Sequence, residues 1–175
     1  MLDRFLEELD EHRERIPLTW LTNRLEQTAI HWPALERYAQ FSAERYRRNL
    51  IRAGPAYHAL LLCWRSGQRS PIHDHRGSSC GVRVLRGEAV ETIFEQTRSG
   101  HVYAVASRTL AEGAVTGSQD SDIHQVSNLQ VEGRDLVTLH IYSPPLLTMG
   151  QYSLTESGAR KYVDEVWAFS EGSGI

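Results

Sequence analysis

The first third of the chain carries hydrophobic residues at helical spacing. In its opening segment they lie three or four positions apart, with charged residues between them: Leu2, Phe5, Leu6 and Leu9. Further helices are predicted from Leu18 to Ile30 and from Ala34 to Leu50, and Pro33 suits the first turn of the latter. Residues 1–54 are therefore expected to be helical, and the Gly54-Pro55 pair ends this region.

The pattern changes after Tyr57. Short β-rich runs follow, separated by glycine and polar clusters: Ala59–Trp64, Cys80–Leu85, Ala89–Glu95, Val102–Ser107 and Leu136–Tyr142. Closely spaced runs of this kind predict a mainly β antiparallel sandwich or barrel over residues 55–175. The chain of 175 residues is expected to be one domain, 1–175, in which the helical region covers the barrel.

The last of these runs separates two kinds of side chain. Its positions alternate between an apolar set and a neutral hydrogen-bonding set: Val137, Leu139 and Ile141 against Thr138, His140 and Tyr142. Alternate residues of a strand face opposite ways. We therefore predict that the apolar face packs outward under other elements and that the hydrogen-bonding face lines a cavity.

Composition and charge restrict the classes of function. The chain is 41% hydrophobic with a formal net charge of −3, so no basic surface is predicted for nucleic acid or an anionic membrane. No apolar stretch reaches the length needed to cross a bilayer, and the charged N-terminus is not typical of a signal peptide. The only cysteines, Cys63 and Cys80, do not make a disulfide framework, which favours a cytoplasmic location.

Three histidines carry the candidate chemistry. His73 and His75 are two positions apart, so on a strand their imidazoles lie side by side, whereas Asp74 between them points the other way. Neutral imidazole is the commonest metal ligand. His124, from a distant strand, would complete one face of a metal and leave the remaining positions open for small molecules.

The spacing around these histidines resembles the two motifs of the cupin superfamily. Glycines and histidines match the first motif: Gly67, His73, His75 and Gly87. His124 and Asn128 match the second, whereas Ser79 and Cys80 stand where the first motif usually has a ligating glutamate. A site of three imidazoles leaves a divalent metal its full charge, which favours an anionic ligand such as a thiolate. Zinc would also bind such a site.

From about Tyr46 to Pro145 the chain resembles the cysteine dioxygenase family. The resemblance lies in nine segments: Tyr46–Leu50, Cys63-Trp64, Gly67, Ser70–His75, Cys80, Val84–Gly87, Glu91-Thr92, His124–Asn128 and Leu139–Pro145. That family is a small cupin with non-haem iron(II), which uses dioxygen to convert a thiol to a sulfinic acid. The resemblance implies a jelly-roll-like antiparallel β-barrel and an enzyme that converts L-cysteine and O2 to cysteine sulfinic acid.

The resemblance also implies roles for individual residues. The metal ligands would be His73, His75 and His124, with Fe(II) as the cofactor. Arg48 would bind the substrate carboxylate, with Tyr46 and Thr138 as further substrate-binding positions. The catalytic residues would be Tyr142, His140 and Cys80. A thioether between Cys80 and Tyr142, found in some members, stays open, and a cis bond is expected at Ser143-Pro144.

Two rival functions remain open on the sequence. A related dioxygenase acts on 3-mercaptopropionate, but such relatives commonly carry glutamine at the position of Arg48. The other rival is a non-oxidative metal-binding cupin, either an isomerase that uses zinc or manganese as a Lewis acid or a ligand-binding module. The expected partners are a small thiol and O2, without nucleic acid or membrane, and the protein is expected to be a monomer or a weak homo-oligomer.

Overall fold

The computed structural model describes residues 2–163 and 166–168 of the chain. Two α-helices come first, α1 (Leu2–Asp10) and α2 (Leu18–Gln27), followed by single-turn 3₁₀ helices at Trp32–Ala34 and Glu36–Tyr38. The strands follow in chain order: β1 (Arg47–Ala53), β2 (His58–Trp64), β3 (Ile72–His73), β4 (Ser79–Arg86), β5 (Ala89–Gln96), β6 (Val102–Leu110), β7 (Val115–Gln119), β8 (Ile123–Ser127), β9 (Leu136–Ser143), β10 (Met149–Tyr152), β11 (Arg160–Tyr162) and β12 (Trp167–Ala168).

These strands form two six-stranded sheets around a shared core. One sheet has the order β12-β1-β2-β9-β4-β7 and the other the order β11-β10-β3-β8-β5-β6. Among the described residues, neighbouring strands pair antiparallel except for the parallel pair β1–β12. Buried side chains from both sheets meet in one cluster: Leu60, Leu62, Val82, Val84, Ala89 and Val126. The predicted mainly β barrel is confirmed.

Strand β9 divides the interior of the molecule in two, as its alternating pattern predicts. Its apolar side chains join the helices in a buried cluster outside the barrel: Phe5, Leu9, Leu21, Leu25, Val137, Leu139 and Ile141. Its other face, with Thr138, His140 and Tyr142, is buried inside the barrel. The helical region therefore covers the outer face of β9, and the barrel interior keeps the polar side chains.

Two glycines let α2 lie close to the sheet. Gly81 of β4 and Gly117 of β7 are opposite each other in register. A Cβ at position 81 would lie 2.8 Å from Leu25 Cδ1, and one at position 117 would lie 2.7 Å from Leu18 Cδ1. A side chain at either position would force the contacting side chains of α2 to move.

The helix predicted from Ala34 to Leu50 is wrong. The segment forms the two single 3₁₀ turns and then enters β1 at Arg47, so the N-terminal region is not helical throughout residues 1–54. Pairing with the apolar strand β2 overrides the helical preference of the arginines and leucine. The side-chain amide of Asn49 fixes this arrangement by donating to the carbonyls of Gln40 and Leu61.

Three further expectations concern a cis peptide bond, the two cysteines and membrane-spanning helices. The Ser143-Pro144 peptide bond is cis, as expected. Cys63 and Cys80 are both free and buried. Within the described residues, no helix is long and apolar enough to cross a membrane. The predicted single domain, 1–175, includes residues 1, 164–165 and 169–175, which lie outside the described residues.

Candidate metal centre

The three predicted metal ligands meet inside the barrel. His73 ends β3 and lies opposite His124 of β8 in register, while His75 follows β3 by two residues. One ring nitrogen from each lies within 4.8 Å of the others, and all three residues are buried. This separation of donor atoms allows all three to bind one metal ion from one side.

In His73 and His124, a hydrogen bond at Nδ1 determines which ring nitrogen is left to bind a metal. His73 Nδ1 is 2.9 Å from the carbonyl of Pro71, and His124 Nδ1 is 2.8 Å from Glu91 Oε1. Each bond requires an Nδ1–H donor, so Nε2 is the unprotonated, ligating atom in both rings.

The third ring, His75, supports the assignment of a metal site. Both of its nitrogens are buried without a hydrogen-bond partner among the described residues, although the backbone of Asp122 is close enough to raise its pKa. Leaving a buried polar nitrogen unpaired costs about 1–3 kcal/mol. Coordination to a metal would satisfy one of these nitrogens, so the donor set fits a divalent cation.

Two of the three histidines, His73 and His75, are neutral at ordinary pH. Burial, reinforced by repulsion from His124, lowers the pKa of His73 to about 3. Burial and the neighbouring imidazoles hold the pKa of His75 well below its usual value. Neutral imidazole is the form that binds metal.

A glutamate that sequence reasoning gave no role stands behind His124. Glu91 of β5 is buried, and its Oε1 accepts the Nδ1–H of His124. Its Oε2 accepts from Arg108 Nε at 2.8 Å and from Thr116 Oγ1 at 3.2 Å. Burial alone would raise the pKa of Glu91, but the bond with His124 and the charge of Arg108 outweigh it and hold that pKa at about 2.

Asp74 behaves as expected and takes no part in the histidine cluster. Its Oδ1 accepts from Gly150 N at 2.7 Å and its Oδ2 accepts from the Tyr152 hydroxyl at 2.9 Å. A Cβ at position 150 would lie 2.3 Å from Asp74 Oδ2, so only glycine permits this approach. The carboxylate thereby ties the segment between the two histidines to β10.

A chain of hydrogen bonds runs along the polar face of β9. Trp64 Nε1 donates to Thr138 Oγ1 at 3.0 Å, Thr138 Oγ1 is 2.9 Å from His140 Nε2, and His140 Nδ1 is 3.1 Å from Tyr142 Oη. An indole N–H can only donate. Thr138 therefore accepts from Trp64 and has its own hydrogen to give to His140, whose Nδ1–H then supports the phenol oxygen of Tyr142.

The remaining predicted site residues surround Tyr142. Arg48 of β1 is only 3% exposed, and its guanidinium carbon lies 5.4 Å from the centre of the Tyr142 ring. Tyr46 stacks on Trp64 with ring centres 4.1 Å apart. Cys80 is opposite Tyr142 in register, with Sγ 3.9 Å from His140 Nδ1. Burial raises the pKa of the Cys80 thiol to about 12, so it stays protonated.

Electrostatic effects connect this group to the histidine cluster. Burial, followed by the positive charge of Arg48, holds the pKa of His140 well below its usual value, and His124 and His73 add to the effect. The same arginine also lowers the pKa of His73, as a smaller contribution after burial. The structure thus brings all nine sequence-predicted site residues into one barrel interior: Tyr46, Arg48, His73, His75, Cys80, His124, Thr138, His140 and Tyr142.

The architecture is that of a cupin, a double-stranded β-helix. A Thermus thermophilus protein superposes with a TM-score of 0.54 at 22% identity, covering 63% of this chain and 94% of its own. A Klebsiella pneumoniae protein with a double-stranded β-helix domain gives a TM-score of 0.54 at 13% identity, covering 72% of this chain and 98% of its own. At such identities the likeness concerns the fold alone.

Sequence similarity identifies the family within this fold. The family model for cysteine dioxygenase type I matches residues 19–155, which is more than half of the chain, and the chain belongs to that family. Cysteine dioxygenase type 1 of Rattus norvegicus is 37% identical over 115 residues, and that of Homo sapiens 36%; each alignment covers 63% of this chain. The aligned part spans 57% of the length of these curated relatives.

Proposed function

We propose that this protein is an iron-dependent thiol dioxygenase that converts L-cysteine and O2 to cysteine sulfinic acid. The observation that carries the proposal is the presence of three metal-competent imidazoles and a buried arginine in one barrel interior. His73, His75 and His124 would hold the iron, which supplies adjacent open positions for a thiolate and dioxygen. In the overall reaction both atoms of O2 are added to sulfur, and the acidic proton is released to solvent.

The charge of the centre supports a thiol as substrate. The three imidazoles are uncharged ligands, and the negative charge of Glu91 is balanced by its partner Arg108. A divalent metal here keeps its full positive charge, which favours binding of an anion and lowers the pKa of a bound thiol. A carboxylate ligand in place of one imidazole would cancel part of that charge and weaken the preference for a thiolate.

Arg48 is proposed to bind the carboxylate of the substrate. Its guanidinium is a permanently charged planar fork that suits two parallel bonds to a carboxylate, and burial strengthens such bonds. Tyr46, held by stacking on Trp64, would line the same end of the site. Fixing the carboxylate orients the thiol toward the metal, so that its reaction with oxygen is effectively unimolecular.

Tyr142 is proposed to act on the reacting atoms through its hydroxyl group. The bonds from Thr138 through His140 hold the phenol oxygen in place, which leaves the phenol hydrogen to be donated to sulfur or oxygen. Cys80 is proposed to hold Tyr142 from the neighbouring strand, and a thioether between the two residues stays an open question that their opposite register permits. Loss of two hydrogen atoms from the intact mass would reveal that link.

The test is the thiol specificity of oxygen uptake by protein loaded with Fe(II) without air. We expect uptake with L-cysteine, and incorporation of both atoms of labelled O2 into a sulfinic acid. A clear preference for 3-mercaptopropionate would instead assign that substrate. A protein that binds the metal but consumes no oxygen with either thiol would be a non-oxidative cupin, and the proposal would be wrong. Cytoplasmic location and a monomeric or weakly associated state stay predictions from the sequence.

A further inference from the structure

A carboxylate oriented by its own ion pair stands behind one of the three metal ligands. The side chains of Glu91 and His124 are 2% and 5% exposed, so their 2.8 Å contact is shielded from water. A carboxylate buried to this degree is costly unless both oxygens are bonded. Here each oxygen has separate partners, since Oε1 accepts from His124 and Oε2 accepts from Arg108 and Thr116.

The three histidines differ in what supports them. His73 donates to the neutral carbonyl of Pro71, and in the part of the chain that the structure describes the ring nitrogens of His75 have no hydrogen-bond partner. His124 alone among the three donates to a carboxylate. A carboxylate acceptor fixes the tautomer and orientation of a metal-bound imidazole and increases the basicity of its ligating nitrogen.

Strand register determines how Glu91 is held. Arg108 of β6 is directly opposite Glu91 of β5, and its Nη2 lies 2.6 Å from Glu91 Oε2. The same Nη2 is 2.6 Å from Thr116 Oγ1 on β7, and this hydroxyl is also bonded to Oε2. Because these donors all use Oε2, only Oε1 is left for His124.

We propose that the Glu91–Arg108 ion pair is the positioning device of the metal centre: Glu91 holds His124 in its ligating tautomer, and Arg108 orients Glu91 and cancels its charge. Arg108 thus acts on metal affinity through two intervening side chains, although its own side chain is 51% exposed. The inference rests on the proposed function only in requiring that the three histidines bind a divalent metal.

The position of the pair makes its arginine important for excluding water. A cleft of about 620 Å³ reaches this side of the centre and is lined by Glu91, Arg108, Ser118 and His124, among others. Without the guanidinium, water entering the cleft could bond to Oε2 and let the carboxylate rotate away from His124. Loss of Arg108 should therefore weaken metal binding, but less than loss of the carboxylate itself.

Metal affinity provides the test, independently of turnover. Metal-free protein is titrated with Co(II) against a chelating dye, and the visible spectrum of bound Co(II) reports the ligand geometry. We expect Glu91→Gln to weaken Co(II) binding by about 10–100-fold and to alter the spectrum. Arg108→Met should weaken binding by a smaller factor, and Arg108→Lys should restore part of it. The control is Arg160→Met, which breaks an exposed pair with Glu156 and should bind as wild type.

Urea unfolding of each metal-free variant measures the effect of the substitution on folding stability separately from its effect on metal binding. Glu91→Gln leaves Arg108 without its partner, which can lower stability. The double variant Glu91→Gln/Arg108→Met removes both charges. Its Co(II) binding should stay weak even if its stability returns to that of the wild type. Wild-type affinity and spectrum in Glu91→Gln or in the double variant would overturn the inference, whether or not cysteine is oxidised. Weakened binding in a protein that oxidises no thiol would reject the proposed function and support the inference.

Discussion

Acidification should unfold the metal-free protein far above the pH at which its carboxylates titrate. Burial lowers the pKa of His73 from 6.5 to about 3 and also lowers that of His75 and His140. In the unfolded chain these imidazoles return to a pKa near 6.5. Between pH 6.5 and about 3 the unfolded state therefore binds more protons than the folded state, so stability falls as pH falls.

The magnitude follows from the number of protons taken up. Each proton costs about 1.4 kcal/mol per pH unit, so the three histidines together cost on the order of 4 kcal/mol per pH unit well below pH 6.5. A domain of ordinary stability, about 5–15 kcal/mol, would lose a large part of it between pH 6.5 and 5. The contribution of Glu91, whose pKa is lowered from 4.5 to about 2, is lost only below pH 4.5.

The assay is urea unfolding of metal-free protein at intervals from pH 7.5 to 5, followed by circular dichroism. The free energy of unfolding should decrease steadily below pH 6.5, and His73→Gln should reduce the slope by about one proton. Saturating zinc should move the decline to lower pH, because protons must then displace the metal. A free energy that stays constant from pH 7.5 to 5 would refute the conclusion that these imidazoles are buried and neutral.

Three further predictions concern substrate binding, turnover and the contact of Asp74 with β10. Arg48→Gln should raise the KM for L-cysteine about 10–100-fold, because it removes charge-assisted bonds of about 1.5–3 kcal/mol. The control Arg47→Gln should leave the KM unchanged. Unchanged cysteine kinetics in Arg48→Gln would show that Arg48 does not bind the substrate. Tyr142→Phe should lower kcat with little effect on KM, and the reverse pattern would make the tyrosine a binding residue. Gly150→Ala should lower the free energy of unfolding by about 1–3 kcal/mol, because its Cβ would lie 2.3 Å from Asp74 Oδ2, and unchanged stability would contradict that contact.

The features that sequence predicts best here depend on the period of a strand. Residues two apart on a strand share a face, so His140 and Tyr142 of β9 could be placed side by side without coordinates. The same rule brought His73 and His75 together, although β3 ends at His73. The same rule placed the apolar residues of β9 outside the barrel, where they meet the helices. The resemblance to cysteine dioxygenase then joined segments that are far apart in the chain.

The features that sequence missed depend on pairing between distant strands. The β1 segment has charged residues and no alternation of apolar ones, and its pairing with β2 decides its conformation. Glu91 gains its role only because β8 brings His124 to one of its oxygens and β6 brings Arg108 to the other. Glu91-Thr92 is one of the segments that resemble cysteine dioxygenase, but neither that resemblance nor its place on a predicted strand names a partner for the carboxylate.

The central claim is tested most directly by oxygen consumption of the Fe(II)-loaded protein supplied with L-cysteine, beside a zinc-loaded sample of the same preparation. We predict consumption that requires iron and yields one sulfinic acid for each O2 used. Equal rates in the zinc-loaded sample, or iron bound at the three histidines without cysteine-dependent oxygen consumption, would contradict the account.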